Sequence, residues 1–121
     1  MAVVLMFNIH DPEKVSLLQV LSIRLNYTCR VIDQAEQCCR ISDLLNGSAH
    51  ASHSRRLFHD EMLVLEGFSH TDLNFLLNEL IRTGNTIRLK AVTTPTNRRW
   101  TVSMLHAQLV AESDGMAGRS V

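Results

Sequence analysis

The segment 93–99, TTPTNRR, carries the most distinctive set of polar side chains in the chain. The candidate ligand-binding residues in it are Thr93, Thr94, Thr96, Asn97, Arg98 and Arg99. They lie between a predicted strand and a predicted helix, and the carboxyl end of a strand beside a helix N-terminus favours a phosphate or a carboxylate. The segment is therefore a candidate site for a small anion. A structural interpretation is preferred: Pro95 and Asn97 form a turn that Trp100 anchors, because no glycine-rich phosphate loop accompanies the threonines.

The histidines and cysteines do not have the spacing of a metal site. His50, His53 and His59 lie within ten residues of one another, in a polar segment. Cys38 and Cys39 are adjacent, whereas zinc sites usually separate two cysteines by two residues. Histidines in such a segment are more typical of solvated side chains. We therefore expect no metal and no cofactor.

Catalytic signatures are also missing from the sequence. A nucleophile needs a neighbouring base and an orienting carboxylate, and the chain has no Gly-x-Ser-x-Gly motif. Cys29 falls on a predicted strand, where a buried thiol behaves as a small apolar residue. The acidic residues are scattered over predicted helix faces and form no carboxylate pair. The sequence favours a protein that is not an enzyme.

Charge and composition argue against nucleic-acid and membrane partners. Twelve basic residues balance twelve acidic ones, so no long-range attraction to a polyanion is expected. RNA-binding sheets stack bases on exposed aromatic side chains, whereas aromatic residues make up 5% of this chain. The apolar run Ala2–Phe7 is too short for a signal peptide, and no stretch approaches the roughly 20 apolar residues of a membrane span. Because the three cysteines are odd in number and include an adjacent pair, a reduced, cytoplasmic protein is expected.

The elements that position these residues form an internal repeat. Shifting the chain by 58 positions aligns Val4–Val31 with Met62–Leu89 without a gap. The identical pairs are Leu5/Leu63, Leu18/Leu76, Ile23/Ile81, Arg24/Arg82, Thr28/Thr86 and Arg30/Arg88. Structural roles correspond as well: Asp11 and Ser69 are good helix N-caps, and Asn26 and Gly84 favour the left-handed conformation that ends a helix.

Apolar patterns place a strand, a helix and a second strand in each copy. The predicted strands are Val4–Phe7, Thr28–Ile32, Met62–Leu65 and Thr86–Val92. The apolar helix faces between them comprise Val15, Leu18, Leu21 and Leu25 in the first copy and Leu73, Leu76, Leu77 and Leu80 in the second. A short helix at 41–45 and an exposed polar loop at 47–56 lie between the copies. A third long helix is predicted at 100–111, with Thr101 as N-cap.

Two β-α-β copies predict an α+β fold with a ferredoxin-like antiparallel sheet, both main helices on one face and an added C-terminal helix. An α/β fold with a doubly wound parallel sheet is the alternative, because the connection at 46–61 permits either arrangement. We predict a single domain over residues 1–112, with pseudo-repeats at about 3–45 and 61–112. A disordered tail is predicted at 113–121.

The second half of the chain resembles a known family. It reads MLVLEGFSHTDLNFLLNELIRTG and then LKAVTTPTNRRWT. This is similar to a small bacterial family known as a domain of unknown function, with a Leu-Lys-Ala-Val strand followed by a Thr-Pro-x-Asn-x-x-Trp-Thr turn. The resemblance covers residues 62–112 well and the first half more loosely, and CRISDLLNG departs from it most. It implies a bacterial protein and no particular activity.

Two function classes remain. The leading interpretation is a non-catalytic protein-interaction or regulatory module that binds a partner protein or forms a homodimer, with Leu57 and Phe58 as exposed apolar candidates. The alternative is a sensor of a small anionic ligand that uses the Thr93–Arg99 turn.

Overall fold

The computed structural model describes residues 2–47 and 57–119, with side chains as far as residue 113. The helices and strands in chain order are β1 (Ala2–Phe7), α1 (Pro12–Leu25), β2 (Tyr27–Ile32), α2 (Ile41–Asn46), β3 (Met62–Glu66), α3 (His70–Arg82), β4 (Leu89–Val92) and α4 (Val102–Arg119). Single 3-10 turns lie at Gln34–Glu36 and Asn97–Arg99. The mixture of strands and helices confirms the α+β class. None of the helices in this described part is long and apolar enough to cross a membrane.

The strands form one mixed sheet in the order β2-β1-β3-β4. Within each β-α-β unit the two strands are parallel neighbours, and the two units meet through the antiparallel pair β1–β3, in which Val3 lies opposite Glu66 and Phe7 opposite Met62. The predicted ferredoxin-like antiparallel sheet is therefore not confirmed, because two of the three strand pairs are parallel. The alternative of an all-parallel doubly wound sheet is not observed either. The apolar pattern cannot distinguish these orders, since each of them buries the runs of β1 and β3 at the centre.

Helices cover both faces of the sheet, so the fold has three layers. On one face, α1 and α3 pack against alternate residues of the central strands. This first core is centred on Val4, Met6, Leu18, Leu21, Leu63, Leu65, Leu76 and Leu80. On the other face, α2 and α4 cover the residues between them. This second core is centred on Leu5, Phe7, Ile41, Leu44, Met62, Val64, Val102 and Leu105. Because neighbouring strand residues point to opposite faces, one continuous apolar run supplies both cores.

Local signals position the helix ends. The Asp11 carboxylate accepts a hydrogen bond from the Glu13 N–H at 2.9 Å, and the Ser69 hydroxyl accepts one from the Asp72 N–H at 3.1 Å. Both predicted N-caps are confirmed. Asn26 and Gly84, at φ 57° and 73°, adopt the predicted left-handed conformation. Corresponding residues of the two β-α-β units therefore have the same structural roles. That the two units arose by duplication stays a prediction.

The last helix begins where the sequence predicts. Thr101 accepts a hydrogen bond from the Met104 N–H at 3.2 Å, and Trp100 before it packs against the second core. α4 continues to Arg119, beyond Ser113, where a disordered tail is predicted. Of the polar loop predicted at 47–56, residues 48–56 lie outside the described part of the chain.

Replacing Leu76 in the first core tests this arrangement. Leu76 is fully buried, so Leu76→Ala should lower the free energy of unfolding by about 2–5 kcal/mol through lost apolar burial and the cavity left behind. The measurement is urea unfolding followed by circular dichroism. Asn78→Ala, at an exposed position of the same helix, is the control and should change stability by less than about 0.5 kcal/mol. Equal losses in both variants would contradict the packing of α3.

Candidate functional site

The turn between β4 and α4 is held together by its own polar side chains. The Asn97 side-chain oxygen accepts a hydrogen bond from the Thr94 N–H at 2.7 Å, and the Thr94 hydroxyl accepts one from the Asn97 N–H at 3.0 Å. The Asn97 amide also donates to the carbonyl of Val92 at 3.1 Å. These three bonds close the turn. The hydrogen-bonding capacity of Thr94 and Asn97 is thus directed into the backbone and away from a ligand.

Glu66 at the end of β3 engages two more of the predicted site residues. Its carboxylate accepts a hydrogen bond from the Thr93 hydroxyl and forms an ion pair with the Arg98 guanidinium. Thr93 is also fixed through its N–H, which donates to the Leu65 carbonyl at 3.0 Å. A carboxylate of the chain itself therefore occupies the position in which Arg98 and Thr93 could hold an anion. It neutralises the charge that would attract one.

The first turn of α4 offers little to an anion either. The Val102 N–H donates to the Cys39 carbonyl at 2.9 Å, and the Met104 N–H donates to the Thr101 hydroxyl at 3.2 Å. Helix N-termini bind anions through unpaired N–H groups. Two of those groups are already paired here.

The predicted site residues are divided between two surfaces. Thr93, Thr94 and Arg98 line a cleft of about 380 Å³ at the carboxyl ends of the parallel strands β3 and β4, opposite the Gly67–Phe68 turn. Thr96 and Asn97 line a different groove, between β4 and α4, and Thr94 lines both surfaces. Arg99 is exposed and lines neither. Each surface therefore gathers three of the six predicted residues, with Thr94 shared between them.

A buried polar network on the other side of the molecule has no counterpart in the sequence interpretation. Gln37 is 1% exposed, and its side-chain amide donates to the Phe58 carbonyl at 3.2 Å and accepts from the Phe58 N–H at 3.1 Å. Asn8, in the left-handed conformation at φ 58°, donates to the same carbonyl at 3.0 Å. The network holds the segment before β3, which includes Phe58, against the rest of the fold. Neither amide stands in a recognisable motif, so no sequence signal predicts it.

His106 completes this network from α4. Its ring stacks on Phe58 with the ring centroids 3.9 Å apart, and its Nε2 lies 2.8 Å from a carboxylate oxygen of Asp60. Phe58 is consequently buried, with 7% exposure, which corrects its prediction as an exposed apolar residue; Leu57 remains 44% exposed. Because Ser103 donates its hydroxyl hydrogen to the Gln37 carbonyl at 2.9 Å, this hydroxyl is directed into the fold. The geometry is that of a structural clamp.

The cysteines and the described histidine of the polar segment form no chemical centre. Cys29, Cys38 and Cys39 form no disulfide, and burial raises the pKa of the Cys29 thiol, which favours its protonated form. His59 lies 3.0 Å from the Gln34 amide, while His50 and His53 fall outside the described residues. Within the part of the chain that the structure describes, no three metal-binding side chains gather.

Comparison with known proteins gives one finding. Residues 61–116 match a family described as a domain of unknown function (DUF3783). The match includes β3, α3, β4 and most of α4, and it supports the resemblance predicted for the second half of the chain. No curated protein and no solved structure matches the chain. The description of the family assigns no activity, so any inference about function has to come from the geometry of this chain.

Asn97 should be essential to the turn. Asn97→Ala removes two hydrogen-bonding groups from the backbone of β4 and the turn and should lower the free energy of unfolding by about 1–2 kcal/mol. Thr96→Ala is the control, since the exposed Thr96 side chain takes part in no described hydrogen bond, and its effect should stay within about 0.5 kcal/mol. Thermal and urea unfolding measure both. A stable Asn97→Ala variant that loses affinity for inorganic phosphate would contradict the structural role.

Proposed function

We propose that this chain is a non-catalytic protein-interaction module that forms a homodimer through the outer face of α1. Support comes from two large aliphatic side chains on that face: Val20 is 61% exposed and Ile23 is 85% exposed. Fully burying a side chain of this kind stabilises a structure by about 1.5–3 kcal/mol. In the monomer neither residue makes that contribution, whereas in an interface both would.

α1 differs from α3 at the position of Val20, although the two helices occupy equivalent places. α3 is amphipathic and turns most of its apolar residues to the first core, although Ile81, which corresponds to Ile23 of α1, is 66% exposed. The residue of α3 that corresponds to Val20 is the polar Asn78. α1 carries apolar residues on both its inner and its outer side, a pattern typical of a helix that is covered on both sides.

The charges at the two ends of this face favour a second copy as the partner. Glu13 lies in the first turn of α1 and Arg24 in the last, on the same side as Val20. A dimer with its two-fold axis perpendicular to α1 brings the two α1 helices together antiparallel and places Glu13 of each copy near Arg24 of the other. The Arg24 guanidinium lies 4.7 Å from the centre of the Phe75 ring, which holds it at the border of this surface. Apolar side chains in the middle with opposite charges at the ends form a self-complementary surface.

The location and origin of the protein follow the sequence-based predictions. We take it to be a cytoplasmic bacterial protein, because three cysteines that include an adjacent pair do not have the pattern of a secreted disulfide framework.

The oligomeric state tests the homodimer. Native mass spectrometry and light scattering over a range of protein concentrations should find a dimer for the unsubstituted chain. The double variant Val20→Ser/Ile23→Ser should be a monomer, because it removes the apolar centre of the interface. The matched control is Ile81→Ser, which changes an aliphatic residue of α3 that is 66% exposed, and it should dimerise normally. The α1 interface would be ruled out if the unsubstituted chain were a monomer at every concentration, or if Ile81→Ser lost the dimer to the same extent as the double variant.

A second candidate function is the binding of a small anion. The observation in its favour is the cleft of about 380 Å³ that Thr93, Thr94 and Arg98 line. The obstacle is Glu66, whose carboxylate already pairs with Arg98. If an anion binds here, it has to compete with that carboxylate.

This competition makes the second candidate testable by calorimetry with inorganic phosphate. Glu66→Gln should raise the affinity for phosphate, because it frees the Arg98 charge while keeping a side chain of the same size. Arg98→Glu together with Arg99→Glu should abolish binding. If the unsubstituted chain, Glu66→Gln and the double arginine variant release the same heat on addition of phosphate, or none, the cleft is not an anion site.

A further inference from the structure

The outer edge of β4 borders a groove that has the features of a binding site for an extended peptide. β4 is an edge strand with β3 as its neighbour, and α4 runs beside it on the face of the second core. A groove of about 280 Å³ lies between them. Ala91 lines it from β4 and Trp100 from the turn that follows. The residues that line it from α4 are Leu105, Gln108, Leu109 and Glu112. An edge strand beside a helix is an arrangement in which proteins add a peptide as a further strand.

The backbone of β4 presents hydrogen-bonding groups to this groove. The Thr93 N–H donates to the Leu65 carbonyl of β3. In a parallel ladder alternate residues bond to the same neighbour, so Ala91 faces β3 as well, and Lys90 and Val92 direct their N–H and C=O groups outward. The Val92 carbonyl confirms this direction, because the Asn97 side chain caps it from outside the sheet. Among the described residues no partner is found for the N–H groups of Lys90 and Val92 or for the Lys90 carbonyl.

Asn97 sets the end of the free edge. Its side-chain amide donates a hydrogen bond to the Val92 carbonyl, and the turn that follows leaves the plane of the sheet. An added strand could therefore pair with Lys90 and with the Val92 N–H, and would stop at the turn. The free edge is short but has a defined end.

Charge indicates which kind of segment fits. The Lys90 ammonium donates to the carbonyl of Ile87, a neutral partner, and has no ion pair among the described residues. Burial lowers the pKa of Lys90, so a carboxylate placed beside it would stabilise its charged form. On an added strand, the residue opposite Lys90 lies on the same face of the sheet and would be within reach of it. The residues on either side would face α4 and enter the groove on the side of Leu105 and Leu109.

Charge also argues against a second copy of the chain at this edge. The two edge strands both carry a basic residue, Arg30 in β2 and Lys90 in β4. Pairing one edge with the other, or with itself, would bring like charges together, which destabilises cross-strand pairs. The occupant favoured by these charges is an acidic segment of another protein.

We propose that the groove between β4 and α4 binds an extended segment of a partner protein, in which apolar and acidic residues alternate, by adding it to the sheet beside β4. The apolar side chains contact Trp100, Leu105 and Leu109, and an acidic side chain pairs with Lys90. The site rests on the proposed function only in its class, a protein-interaction module. It uses a surface separate from the outer face of α1.

Fluorescence anisotropy with a labelled peptide of sequence TVEVEVT tests the proposal. The unsubstituted chain should bind it and should bind TVKVKVT roughly tenfold less tightly, because like charges then meet at Lys90. Lys90→Glu should reverse this preference. Arg40→Glu makes the same change of charge at an exposed position outside the groove and should leave the preference unaltered.

A second variant separates strand addition from simple charge attraction. Val92→Pro removes an N–H that points away from β3, so the ladder within the sheet is kept, and proline is tolerated at such edge positions. It should weaken binding of TVEVEVT by about tenfold or more, with an unchanged circular dichroism spectrum. Hydrogen exchange of the Val92 amide in the unsubstituted chain should slow when the peptide is added.

The outcomes that overturn the proposal are distinct from those that overturn the homodimer. No binding by the unsubstituted chain, equal binding of both peptides, or full binding by Val92→Pro would each refute the peptide site. The variant Val20→Ser/Ile23→Ser should bind TVEVEVT as tightly as the unsubstituted chain does. A monomeric protein that binds the peptide would refute the α1 homodimer and support the groove.

Discussion

The antiparallel pairing of β1 with β3 is the interaction on which the rest of the structure depends. It joins the two β-α-β units, and both strands are buried on their two faces. Once it is made, the parallel partner of each strand can occupy only the remaining side, so β2 and β4 become the edges. The helices of the two units then share one face, and α2 and α4 close the other. A fully apolar run such as Val4–Phe7 needs this double cover, because either face alone would leave half of its side chains in water.

Several polar side chains in the described part of the molecule hydrogen-bond to the backbone. Asn97, Thr94 and Gln37 replace backbone partners where the chain leaves regular structure, and the Asn8 side chain acts similarly after β1. The Glu66 carboxylate at the end of β3 instead contacts the side chains of Thr93 and Arg98. Such groups are costly to bury unless they are hydrogen-bonded. A cluster of polar residues in a short turn is therefore as consistent with closing that turn as with binding a ligand. The contacts of the Thr93–Arg99 turn favour the first role for Thr94 and Asn97.

The surfaces that remain for function are those that the fold leaves uncovered. They are the outer face of α1, which carries aliphatic side chains that the first core does not use, and the outer edge of β4, which carries backbone groups that β3 does not use. Neither can be recognised from residue types alone. Val20 and Leu21 are aliphatic neighbours in the sequence, yet Val20 is exposed and Leu21 is buried because they lie on different sides of the helix. Lys90 is notable only because its strand lies at the edge of the sheet.

The sequence by itself determined the local structure of this protein. Local signals, each acting over a few residues, specify where the helices and strands lie. They are the apolar runs, the N-caps at Asp11, Ser69 and Thr101, and the left-handed residues Asn26 and Gly84. The order of the strands was decided only in the tertiary structure, since ferredoxin-like, doubly wound and observed arrangements bury the same side chains. The ion pair of Arg98 with Glu66 and the burial of Phe58 by Gln37 and His106 were also decided there. These contacts join residues more than twenty positions apart, and a local pattern carries no information about which distant groups the packing of the sheet will bring together.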